Sequence, residues 1–217
     1  MRLLSMILVI MLISGGAGAQ NDKLPLETVK SIATEALPVF SELVTKDNFE
    51  AMGFESLDDV KNVTLSDAEP PLQVFMVRLD HLKEYRAGDD VNPLLTGGGL
   101  AYYPVTINGQ VAAAVGVEKM NEKWEATSVG DAALIKMFTS VRRESMDSTR
   151  LDANAYFVVW VAALNLHFVA YRADNSLMLI PVQDDDAYEF RSGEAMPAER
   201  VFEIILPAAQ AHDGSPG

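Results

Sequence analysis

The residues with chemical potential in this sequence are few and scattered. Asp184, Asp185 and Asp186, with Glu189 just beyond, form its best local ion candidate. Calcium takes several carboxylate and carbonyl oxygens from a flexible loop, so calcium is the one cofactor these residues suggest. The alternate-residue spacing of an EF-hand loop is absent, and a solvated acidic turn is the expected state. His81, His167 and His212 are far apart, and no His-Glu-x-x-His motif occurs. No Gly-x-Ser-x-Gly elbow marks a nucleophilic serine. Gly97-Gly98-Gly99 lacks the Lys and Ser/Thr of a phosphate loop and reads as a flexible break in the chain. Serines and acids are numerous, so a hydrolase using a dispersed acid pair or serine stands as an alternative.

Tyr102, Tyr103, Trp124, Tyr156, Trp160 and Tyr171 fall on or beside predicted strands. Core and cross-strand packing accounts for most such aromatics. Pro104 and Pro181 also lie in predicted strands. Proline cannot donate to a ladder, so both predict sheet edges. An open edge beside exposed tyrosines can accept a partner by strand addition. Tyr102, Tyr103, Pro104 and Pro181 are therefore the expected binding surface.

Composition narrows the classes further. The chain has 217 residues, 49% of them hydrophobic and 22% charged, which are ordinary globular values. There is no cysteine, which excludes disulfides and thiolate chemistry. The formal net charge of -14 argues against a nucleic-acid partner, because phosphate binding needs a basic surface. Arg2, the apolar run from Leu3 to Ile13 and the small-residue site Ala17-Gly18-Ala19 read as a secretory signal peptide cleaved before Gln20. The run is too short to span a membrane, and no later segment is long and apolar enough. A mature domain over 20–217, exported to a periplasm or the medium and without a stable membrane anchor, is the expectation.

These residues need elements to position them. Apolar residues at Leu26, Val29, Ile32, Ala36, Phe40, Leu43 and Val44 have helical spacing over 26–46, and Pro38 inside the stripe predicts a kinked or divided helix. Ser56 is placed to cap a short turn. Leu72 to Leu79 is a strand apolar on both faces. Tyr102–Ile107, Gln110–Glu118 and Lys123–Val129 form a meander, with Asn108-Gly109 the strongest hairpin signal. Small residues Ala112, Ala114 and Gly116 on one face of its second strand allow close approach of another element. A helix follows, with Ser128 its expected cap, Asp131 three residues on, and Arg142 and Arg143 toward its end. Tyr156–Ala163, Leu166–Arg172 and Leu177–Val182 then repeat the meander, with turns at Asn165 and Asp174-Asn175, before a last helix opened by Pro197.

The expected fold class is α+β: an antiparallel sheet of two three-stranded meanders, each followed by a helix, plus a kinked N-terminal helix. The helices would lie on one face, and the halves, about 100–149 and 154–211, suggest an internal duplication. No catalytic constellation is visible. The expected function is non-enzymatic binding of an envelope or extracellular protein, as an inhibitor, chaperone or propeptide would do. A small-ligand carrier is the other alternative.

Overall fold

The computed structural model describes residues 24–214, apart from positions 51, 53 and 175. The expected signal peptide and the second residue of the Asp174-Asn175 turn lie outside the described residues. The helices are α1 (Leu26–Leu43), α2 (Leu79–Glu84), α3 (Ala132–Thr149) and α4 (Ala198–Ala211). The strands are β1 (Val63–Leu65), β2 (Leu72–Val77), β3 (Leu95–Ile107), β4 (Gln110–Met120), β5 (Lys123–Gly130), β6 (Phe157–Val161), β7 (Leu166–Ala173), β8 (Ser176–Pro181) and β9 (Met196–Pro197).

The sheet is not two three-stranded meanders. It is one mixed sheet of nine strands in the order β5-β4-β3-β2-β6-β7-β8-β9, with β1 also on β3. The inserted strand is β2. It pairs antiparallel with β3, and parallel with β6 through Val74↔Val158, Phe75↔Val159 and Met76↔Trp160. Two-sided burial explains its place. Leu72 and Val74 enter the core on one face, Phe75 and Val77 on the other, and a strand apolar on both faces must be covered on both.

The helices also lie on both faces rather than one. Val29, Ala33 and Ala36 of α1 pack on Ala101, Tyr103, Val105, Val115 and Val117. On that same face, over the other half of the sheet, Val201, Phe202 and Ile205 of α4 pack on Val159, Val161 and Phe168. Across the sheet, Ile135, Phe138 and Val141 of α3 pack on Val74, Ala114, Val158 and Val169. The small residue Ala114 lets α3 sit close over β4. The two covers of β6 are therefore α4 and α3, one on each face.

Local chemistry explains the hairpins. Asn108 (φ 51) and Gly109 (φ 78) join β3 to β4, and Asn121 (φ 49) and Glu122 (φ 65) join β4 to β5. Both are two-residue turns with two positive φ angles, as the right-handed twist of a hairpin requires. Asn165 (φ 51) and Asp174 (φ 47) supply the left-handed residue in the next two hairpins.

Other local expectations are corrected by pairing. Gly97-Gly98-Gly99 does not break the chain; it lies within β3, where the register shifts opposite Val74 and Phe75. Gln73 Nε2 donates to the Gly98 carbonyl at 2.8 Å. A Cβ on Gly98 (φ +81) would stand 2.8 Å from the Phe75 ring, so glycine is required there. Ser128 does not cap α3, because β5 pairs with β4 as far as Gly130, and the helix starts after Asp131. Pro38 sits inside one continuous helix instead of dividing it. Arg142 and Arg143 lie mid-helix, since α3 runs on to Thr149.

Arg142 is fully buried. Its guanidinium pairs with Glu69 and donates to the Pro70 carbonyl at 2.9 Å, while Arg143 takes the other Glu69 oxygen. This cluster ties the loop that leads into β2 to the middle of α3.

Candidate functional site

The acidic loop spends its carboxylates on its own shape. Asp184 accepts from the Ser192 N–H at 2.8 Å, Asp185 from the Ala187 N–H at 2.9 Å, and Asp186 pairs with Arg191 at 2.8 Å. Glu189 takes a left-handed conformation, φ 57, which helps turn the chain so that Phe190 reaches the core. The three aspartates engage separate partners rather than one centre. Among the described residues no three acids or histidines gather as a metal-holding group.

The expected binding surface is dispersed. Tyr103 is buried under α1, while Tyr102 is half-buried and tilts against Phe138 at 6.5 Å. Pro104 marks a local gap in pairing inside the sheet, whereas Pro181 lies on the outer side of β8 beyond the reach of the two-residue β9. The Pro104 carbonyl accepts from Ser66 N–H at 3.0 Å. Its nitrogen points the same way, into the break between β1 and β2, where no strand needs a donor. The Pro181 carbonyl accepts from Gly193 N–H at 3.0 Å, so its nitrogen likewise faces away from β7. Both residues are buried.

β5 is one edge of the sheet, the short β9 the other, and among the described residues β5 pairs only with β4. In a two-residue hairpin the closing pair, here Met120↔Lys123, exchanges hydrogen bonds, and the pattern alternates from there. Trp124 and Ala126 thus direct their N–H and C=O groups outward. The register shift between Gly116 and Val117 leaves Thr127 unpaired, so the regular open ladder is 123–126. Beside this edge runs an open groove of about 540 Å³ between β5 and α1. Ile32, Ala36, Val39 and Leu43, with Glu35, line one wall, and residues 124–129 of β5 the other, so the groove is mainly apolar with a carboxylate on its rim. Val39 is 55% exposed and Leu43 52% exposed.

Sequence reasoning missed this site, although a signal was present. Ile32, Ala36, Val39 and Leu43 recur at i, i+4, i+7 and i+11, a stripe beside the buried one of Val29, Ala33 and Ala36. An apolar stripe wider than the buried face leaves a helix with an unpartnered flank.

A second unusual cluster lies on the α3 face. The Trp160 and His167 rings stack at 5.4 Å, and Phe138 lies 6.0 Å from His167. Trp160 Nε1 is buried without a hydrogen-bond partner among the described residues. Burial pushes the His167 pKa below the ordinary 6.5, since the charged imidazolium loses water. The neutral form carries the stability, which is complete above 6.5 and is lost as pH falls through the lower folded value. Thermal melts from pH 7.5 down to 5 should therefore fall more steeply for the native chain than for His167→Phe. Parallel slopes would remove His167 as a contributor.

No helix among the described residues is long and apolar enough to cross a membrane. No family model, no curated protein and no solved structure matches this chain.

Proposed function

We propose that this chain is an exported, non-enzymatic binding protein, inhibitor-, chaperone- or propeptide-like, that takes an extended segment of an envelope or extracellular protein onto the edge of β5. The observation that carries this reading is the open ladder of β5 beside the apolar α1 groove. Backbone groups at Trp124 and Ala126 supply affinity, and the groove supplies pockets for alternate side chains of the added strand, as in other cases of strand addition. Exposed Val39 and Leu43 form an apolar surface that a partner can remove from water.

A photo-crosslinking amino acid placed at Leu43 or Ala126, in cells exporting the protein, tests this. Protein adducts should form from these positions and not from Asp186, in the acidic loop. Adducts from all three alike, or from none, would overturn the reading.

A further inference from the structure

We infer that the segment taken up by β5 is a basic one, in which apolar residues alternate with lysine or arginine. The inference rests on the edge-docking reading above and adds the chemistry of the partner.

Successive side chains of an added strand point to opposite faces of the sheet. On the face shared with α1 they meet the groove of Ile32, Val39, Leu43, Trp124 and Val129. On the other face they meet Lys123 at the hairpin end and, two residues on, a pair of carboxylates. Glu125 stands directly opposite Glu118 of β4, and both are exposed. Like charges at directly opposed positions are unfavourable. Neither glutamate joins any ion pair among the described residues. Lys119, next in sequence, points to the α1 face by alternation and pairs with Glu122 at 2.9 Å. A cation on the added strand, beside Glu125, converts this repulsion into attraction.

The same charge pattern disfavours a second copy as the occupant. The chain carries a formal net charge of -14, so two copies repel over long range, whereas a basic segment is drawn in. The alternation then follows from the edge: apolar residues toward α1 and basic residues toward Glu125 and Glu118.

The test uses short synthetic peptides alternating valine with lysine, with serine or with glutamate, added to the full mature chain. Affinity is followed by calorimetry at low and high salt, and contact by amide exchange. The valine-lysine peptide should bind most tightly and protect the amides of Trp124 and Ala126. Its affinity should fall with salt. Glu118→Gln together with Glu125→Gln should weaken it by about fivefold while leaving the valine-serine peptide unchanged. Leu43→Asp should weaken both peptides. If valine-serine and valine-lysine bind equally, and Leu43→Asp weakens both, the charge inference fails and the docking reading stands. A lysine preference untouched by the two glutamine substitutions would mark general attraction to an acidic protein, and would overturn the inference. If no peptide protects Trp124 and Ala126, both fall. Sedimentation showing a dimer with those amides protected would make a second copy the occupant and overturn the basic partner.

Discussion

Glu69→Ala lowers the unfolding free energy by about 3–5 kcal/mol, the range for leaving a buried charge without its partner. Arg142 has no exposed side-chain surface, and Glu69 only 6%. Burial pulls the Arg142 pKa down and Glu69 pushes it back up, with burial the larger effect. Without Glu69 the guanidinium keeps one neutral acceptor, the Pro70 carbonyl, while its Nε already lacks a partner among the described residues. Arg143 reaches the same carboxylate, but its side chain is 54% exposed, so Arg143→Ala should cost under about 1 kcal/mol. Glu69→Leu combined with Arg142→Met should recover much of the loss, because apolar replacements need no counter-charge. Urea denaturation of the three variants beside the native chain measures all of this. A loss below about 1 kcal/mol for Glu69→Ala would show that the pair does not hold the β2 loop to α3.

Phe138→Ala and Phe168→Ala should each cost about 3–5 kcal/mol, the usual price of truncating a buried phenylalanine. Each ring is 1% exposed, Phe138 on the α3 face and Phe168 on the α4 face. Because the sheet separates them, their effects should add in the double variant. Val39→Ala and Leu43→Ala provide the contrast. Both residues are exposed, so both changes should stay within about 0.5 kcal/mol. Thermal or chemical unfolding of the isolated chain decides the matter. If Phe138→Ala left stability unchanged, α3 would not be a structural cover of the sheet.

Much of the local structure was legible in the sequence. Asn108-Gly109, Asn121, Asn165 and Asp174 all stand at hairpin turns with positive φ. Turn chemistry is decided by the residues in the turn, so a local reading suffices. The capping of the short turn Leu57–Asn62 is local in the same way: Ser56 N–H donates to Asp59 at 2.9 Å. The uninterrupted apolar run at Phe157–Val161 also carried its meaning, since a strand without alternation needs cover on both faces.

The candidate site was much less legible. Pro104 pointed to an edge, but a proline forbids a donor only at one position on one side of a strand. β3 accommodates Pro104 by leaving a gap between β1 and β2. The β5 edge, Lys123–Gly130, has no residue that announces it. Being last in a row is a property of the whole sheet.

What the sequence determined by itself was most of the longer strands and helices and their turns, because those depend on neighbours within a few residues, whereas β1, β9 and the first half of β3 came only with pairing. Only the tertiary structure decided that β2 enters the sheet beside β6, parallel to it and more than 80 positions away in the chain. It alone decided that α3 lies opposite α1 and α4, and that Glu69 meets Arg142. An apolar stripe demands a cover without naming it, and a strand's backbone offers the same hydrogen bonds to any partner. The choice among partners falls to the global packing that buries the most apolar surface while leaving the fewest polar groups unpaired.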